Sequence, residues 1–230
     1  MIYPRCHFYS FYTKIDLSEN FATEPFFLFI LSQLPVVFLN FLDSNGDTYG
    51  IAYKNTPPFI ILALAVVTIS IFIGIKCGFY NNYRKSFSWK NILFIFSLLI
   101  VTFFIQKFVV QFITSHNLYN VSHQITNQMK VENILSSLLF PGQFVAVSIL
   151  APILEESIYR AFFYKLFGYK WWTFVLSCFF FSYVHSGFSW DILGYLPLSV
   201  ALTYVYHRRQ VLTDSILLHS LYNTLLLFVF

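Results

Sequence analysis

Charge is what this chain has least of. Only 10% of its 230 residues are Asp, Glu, Lys or Arg, against about 25% in soluble domains. With 57% hydrophobic and 22% aromatic residues, 30 of them Phe, a globular protein would carry more apolar surface than one core can hide. The mean hydropathy of +0.65 agrees. An ordinary soluble domain is therefore excluded, and the first partner that composition implies is a lipid bilayer. Cysteine is also scarce. Cys6, Cys77 and Cys178 are widely spaced and form no CxxC, which argues against a disulfide framework or a zinc–cysteine site. Cys178 reads as a small buried apolar residue. The net charge of +4 is small and gathers near the ends of apolar runs, so it suggests topology and no nucleic-acid partner. No cleavable signal peptide is evident, because Met1 to Glu24 is polar and no small-residue cleavage site follows it.

What is present is a series of apolar runs near the length of about 20 residues that a membrane helix needs. Phe26 to Leu42 carries Pro35, which predicts a kink. Pro58 to Ile75 is marked at its start by Pro57-Pro58. Asn91 to Ile113 holds Gln106, Lys107 and Gln111, and Lys107 is expected to snorkel outward. Phe144 to Phe167, Trp171 to Ser186, Ile192 to Tyr206 and Ser215 to Phe230 follow. The expected fold is all-α: a polytopic membrane bundle of about seven transmembrane helices. Residues 1–230 are read as one integral membrane domain. Ser115 to Gln128 reads as an external loop, with the triplet Asn120-Val-Ser122 inside it, and Glu132 to Phe140 as an interfacial or extra helix.

Lys and Arg in short loops orient the bundle. Lys76, Arg84, Lys85 and Lys90, then Lys165 and Lys170, then Arg208 and Arg209 all fall on one side. The expectation is a multi-pass cell-membrane protein with a cytoplasmic N-terminus. Trp171 and Trp172 read as an interfacial anchor, Trp190 and Tyr195 as the opposite belt, and His207 as an interfacial cation.

Against this background two acidic residues stand out. Glu155 and Glu156 are adjacent, follow a charge-free stretch from Asn133 to Leu154, and make up two of only ten acidic residues. A charge at membrane depth costs roughly 2.5–3.5 kcal/mol on insertion scales and marks a functional site by default. Neighbours on a helix point about 100° apart, so the two cannot share one task. Glu156 and Arg160 have the favourable i,i+4 order, which leaves Glu155, four before Tyr159, to face a cavity. His185 lies on the next helix, and His219 and Asn223 share one face of the last. At 1.5 Å per residue, Glu155 lies roughly 15 Å from Lys165, His185 roughly 20 Å from Lys170 and His219 roughly 15 Å from Arg209. Three helices thus bring polar groups to a similar depth.

A carboxylate in such a place can act as general base or acid. A histidine can orient water, and a His with an amide can stabilise an oxyanion. These suffice for hydrolysis of a peptide bond. The same Glu155, His185 and His219 could instead hold a divalent metal such as zinc, although HExxH is absent. No cofactor is certain.

The three segments Glu155-Glu156-x-x-Tyr159-Arg160, Phe181-x-x-x-His185 and His219-x-x-x-Asn223 resemble the three motifs of the CAAX protease and bacteriocin-processing family, also called Abi, which includes the type II CAAX prenyl endopeptidases. The resemblance covers roughly Pro141 to Phe230, read as the family-like core 141–230, and the first three helices carry no matching motif. It implies an intramembrane protease in which Glu155 activates water, His185 assists, His219 and Asn223 form the oxyanion site, and Glu156, Arg160 and Tyr159 support them. A metal-dependent and a glutamate-only mechanism both remain open. The implied partners are a peptide or protein substrate at the membrane, a bacteriocin precursor or a prenylated CAAX peptide among them. Two other classes compete: a non-catalytic bacteriocin self-immunity protein that binds a toxin or its receptor, and a proton-coupled transporter using the same carboxylates. The latter lacks paired repeats.

Overall fold

A computed structural model describes residues 23–41, 48–116 and 135–229. The polar N-terminal stretch with Cys6, loop residues 117–128 with Asn120, Lys130, and residues 132–134 of the expected interfacial segment lie outside the described residues.

Seven helices account for the regular structure, and no strand occurs among the described residues. They are α1 (Thr23–Phe41), α2 (Thr48–Lys76), α3 (Trp89–Ser115), a long α4 over 140–167, α5 (Trp171–Ser186), α6 (Ile192–Arg209) and α7 (Leu212–Val229). Ile51–Lys76, Trp89–Ser115 and Leu212–Val229 are long and apolar enough to cross a bilayer by length and composition alone. The chain is a helical membrane bundle. At 16 residues, α5 is about 24 Å long, short of a hydrocarbon core near 30 Å.

Helix α2 corrects the expected start at Pro58, because it begins at Thr48 and contains both prolines. The amides missing at Pro57 and Pro58 would have served the carbonyls of Tyr53 and Lys54, which lie on the exposed face. On the buried face Thr56 stitches the turn, its hydroxyl donating to Ala52 O at 2.7 Å and accepting from Leu139 N at 2.8 Å. Residues 135–139 make a turn into α4, where Gly142 sits so close to α2 that a Cβ there would meet Thr56 and Leu138 at 3.2 Å.

Helix α4 is continuous but not uniform. Its α-helical parts Phe140–Phe144, Ala151–Glu156 and Phe163–Phe167 are separated by π turns at Val145–Leu150 and Ser157–Phe162. Pro152 explains the first. Its ring would clash with the carbonyl of Ser148, four residues back, in a regular helix, and a wider turn relieves this. In the second, the Ser157 hydroxyl donates to Ile153 O at 2.6 Å, the back-bonding that bends helices.

Two apolar cores flank α4. One joins α1 and α2 to its first half through Leu28, Phe59, Ala63, Leu150 and Leu154. The other joins α3, α5, α6 and α7 through Ile95, Phe181, Leu202, Leu218 and Tyr222. Cys178 is buried, as expected. The three basic connections meet at one end of the bundle: Arg209 donates to Lys85 O at 2.7 Å and Lys165 to Cys77 O at 3.3 Å. Helices α6 and α7 run closer to each other than the sequence suggested. Only Gln210 and Val211 separate them, Gln210 taking the left-handed conformation at φ 55°.

Candidate active site

The candidate site is assembled from the middle of α4, the end of α5 and the middle of α7. Phe181 is its hub. The ring is buried and lies 4.5 Å from His185, 5.7 Å from His219 and 5.5 Å from Tyr159, centroid to centroid. The Arg160 guanidinium sits over it at 4.4 Å. In the sequence Phe181 was only a spacing mark. The motif marked the position, but nothing in the sequence assigned a role to its ring.

The two glutamates separate as helical geometry required. Glu156 is fully buried and pairs with Arg160 at 3.1 Å. It also accepts from His219 Nδ1 at 2.9 Å, a contact the sequence did not reveal. Arg160 is itself fully buried and donates to Ser199 O on α6 at 3.3 Å. That carbonyl also accepts from Thr203 Oγ1 at 2.7 Å. A backbone acceptor carries no sequence signal, so Ser199 could not have been foreseen. Tyr159 packs in this layer, and its carbonyl accepts from Ser177 Oγ at 2.7 Å.

Glu155 faces the other way. Its side chain keeps 26% exposure, and its Oε2 lies 3.6 Å from His185 Nε2 and 3.8 Å from His219 Nε2. Both imidazoles are oriented from behind. His185 Nδ1 lies 2.7 Å from the carbonyl of Phe181, which can only accept, so Nδ1 carries the proton. His219 Nδ1 lies 2.9 Å from the Glu156 carboxylate oxygen that also accepts from Arg160, so it too donates. In their neutral forms both histidines therefore turn an Nε2 lone pair toward Glu155. The separations exceed direct hydrogen bonds and suit a bridging water. Tyr195, expected in an interfacial belt, instead lies 5.4 Å from the His185 ring and forms a wall of the site.

Asn223 stands one turn beyond His219 on α7 and donates to Val147 O of the first π turn at 2.8 Å. In that turn Ala151 N already bonds Ala146 O, five residues back. The next such donor would be residue 152, a proline without an N–H. Val147 O is thus the carbonyl that Pro152 orphans, and Asn223 satisfies it. One of the two amide N–H groups is committed to this bond.

The donor set of Glu155, His185 and His219 is of the type that binds zinc, and both imidazoles carry outer partners as ligating histidines do. Among the described residues, no three His, Cys, Asp or Glu side chains are grouped to hold an ion.

Residues 136–225, which contain every one of these groups, match the type II CAAX prenyl endopeptidase Rce1-like family. The UPF0177 protein YaiF of Lactococcus lactis subsp. lactis is 91% identical over 205 residues, covering 89% of this chain and 94% of that protein. The chain belongs to the CAAX protease and bacteriocin-processing family. Within it, a second UPF0177 protein of the same strain, YajF, is 41% identical, with 80% of this chain and 90% of that protein covered. A UPF0177 protein from an abiGi 5′ region of L. lactis subsp. cremoris is 36% identical, with 87% and 86% covered. These family relatives bear names that state no activity. No solved structure matches the chain.

His207 departs from expectation. It is no free interfacial cation: Tyr169 stacks on it at 4.3 Å and the Tyr164 hydroxyl lies 2.9 Å from its Nδ1.

Proposed function

We propose that the protein is an intramembrane endopeptidase that hydrolyses a peptide bond of a membrane-associated peptide or protein. The observation that carries this reading is the convergence of two oriented Nε2 atoms on one partly exposed carboxylate, at 3.6 and 3.8 Å.

In this reading Glu155 takes a proton from a water held between it and His185, and the resulting hydroxide attacks the scissile carbonyl. The negative charge that develops on the carbonyl oxygen is met by His219 and by the second N–H of Asn223. His219 donates from Nε2 when it carries both protons, with Nδ1–H bonded to Glu156. The C–N bond then breaks, Glu155 returns its proton to the leaving amine, and acid and amine products separate. Glu156, Arg160 and the Ser199 carbonyl hold His219 in register. A bacteriocin precursor and a prenylated CAAX peptide are the two substrate classes that the family suggests. With the basic end on the cytoplasmic side, the N-terminus is cytoplasmic in this reading.

The test compares cells expressing the wild type or Glu155→Gln by mass spectrometry of new peptide termini in membrane proteins. Termini present only with the wild type are expected. Identical sets of termini, with both proteins inserted in equal amounts, would overturn the reading. If protection against a bacteriocin survives Glu155→Ala and His219→Ala, that protection rests on binding.

A further inference from the structure

Outside the site, a groove of about 590 Å³ lies between α3 and α6. It is walled by Thr102, Ile105 and Val109 on one side and by Pro197, Val200 and Ala201 on the other. It runs from Leu98 to Ile113 on α3 and from Tyr204 to Leu193 on α6, about 17–22 Å at 1.5 Å per residue. Apart from Thr102 and Tyr204 its lining side chains are hydrocarbon throughout, the chemistry that receives an acyl chain.

One end of the groove is closed by chemistry of a different kind. One turn beyond Leu98 is Phe94, and one turn beyond Tyr204 is Arg208. The Phe94 and Tyr204 rings meet at 6.3 Å, and the Arg208 guanidinium lies 3.8 Å over Phe94. Arg208 is exposed, and it donates to the neutral Asn91 Oδ1. Lys90 adjoins Asn91, and Arg209, Lys85 and Arg84 complete the basic end. The connecting segments 76–91 and 206–215 contain a single carboxylate, Asp214, which is fully buried and paired with Arg209 at 3.5 Å. The guanidinium at the groove mouth is therefore oriented by ring and amide, and among the described residues the nearby carboxylate of Asp214 acts on it through space while paired with Arg209.

An apolar slot ending in a preset cation at the membrane surface suits an anionic amphiphile, as basic pockets between membrane helices do for acidic headgroups. We infer that this groove is a binding site for an anionic phospholipid, with one acyl chain between α3 and α6 and the phosphate at Arg208 and Lys90.

The test is native mass spectrometry of the purified full chain in neutral detergent, with added phosphatidylglycerol or phosphatidylcholine of identical chains. The wild type should retain phosphatidylglycerol at least tenfold better, and inorganic phosphate should not compete. Arg208→Gln should bring phosphatidylglycerol down to the phosphatidylcholine level. Val200→Trp, a substitution on the exposed groove wall that fills the slot, should lower retention of both lipids about tenfold with the cation intact. Both variants are measured below their unfolding midpoints. Equal retention of the two lipids by the wild type would overturn the proposal, as would wild-type retention of phosphatidylglycerol by Val200→Trp. So would a dimer that Val200→Trp converts to monomer at unchanged lipid retention, which would assign the groove to a second copy of the chain.

Discussion

Replacing each of the two adjacent glutamates by glutamine separates a charge used for chemistry from one used for structure. Glu156 makes two charge-assisted contacts, with Arg160 at 3.1 Å and His219 at 2.9 Å, and is fully buried. A hydrogen bond to a charged group contributes about 1.5–3 kcal/mol and a neutral one about 0.5–1.5. Glu156→Gln keeps the shape but downgrades both, a loss of about 2–3 kcal/mol. It also leaves the buried Arg160 without a direct carboxylate partner, held by neutral oxygens and the Phe181 ring. Stripping one partner from a buried pair costs about 3–5 kcal/mol, so about 3 kcal/mol is expected. At about 2–4 °C per kcal/mol for a chain of this size, the apparent unfolding midpoint should fall by about 6–12 °C. Glu155 is different. Its side chain is 26% exposed and its nearest partners lie beyond direct hydrogen-bond range, so Glu155→Gln should cost less than about 1 kcal/mol. Its effect belongs to rate, where loss of a general base costs about 10²–10⁴-fold. The assay pairs thermal unfolding in lipid nanodiscs with turnover of a cleaved peptide. Equal destabilisation by the two substitutions would refute the division of labour, and wild-type turnover by Glu155→Gln would refute the chemistry.

Other expectations follow from the same contacts. Asn223→Ala leaves the half-buried Val147 O unpaired, lowering stability by about 1–3 kcal/mol, and removes the proposed oxyanion donor, lowering turnover about 10²–10³-fold; both are read in the assays above. Asp214→Ala strips Asn91 and Arg209 of their shared acceptor and should cost about 3 kcal/mol, with turnover per folded molecule unchanged. Turnover by the purified protein should be the same with and without chelator; a loss restored by zinc would show that the site rearranges around an ion. Pro152→Ala restores an amide in a helix interior where proline costs about 3 kcal/mol relative to alanine, so the midpoint should rise while turnover falls.

Much of the fold was legible because bilayer thickness and the 3.6-residue period act on composition directly. The seven apolar runs became the seven helices, and the basic connections meet at one end as charge placement indicated. The misplaced boundaries have local causes. Prolines 57 and 58 read as a start, yet the carbonyls they orphan are exposed, so α2 continues through them. Helix α6 runs on to Arg209 because cations suit a helix C-terminus and Arg209 finds both Asp214 and Lys85 O. At the site, Glu155, His185 and His219 were legible because ionisable groups are costly in lipid. Phe181, Tyr195 and the Ser199 carbonyl were not, because an aromatic ring in an aromatic-rich chain and a backbone oxygen carry no distinguishing cost.

The π turn shows how a feature absent from the hydrophobic pattern can govern the site. Pro152 lies three residues before Glu155, and a proline there would ordinarily kink or break the helix. The widened turn at Val145–Leu150 avoids the clash, but it shifts the register of the first half of α4 relative to the second. It also leaves Val147 O without its donor five residues on. Asn223 supplies that donor from α7 at 2.8 Å, one turn from His219, which meets Glu156 at 2.9 Å. The two bonds tie α7 to α4 on both sides of Glu155. On top of the packing between the helices, two bonds restrict their relative rotation more than either would alone. Together they fix the distance from His219 Nε2 to Glu155, which is the distance the proposed chemistry depends on. The proline and the asparagine are thus one device: a backbone defect on one helix and the amide that completes it on another, with the Glu155 carboxylate held between the two ties.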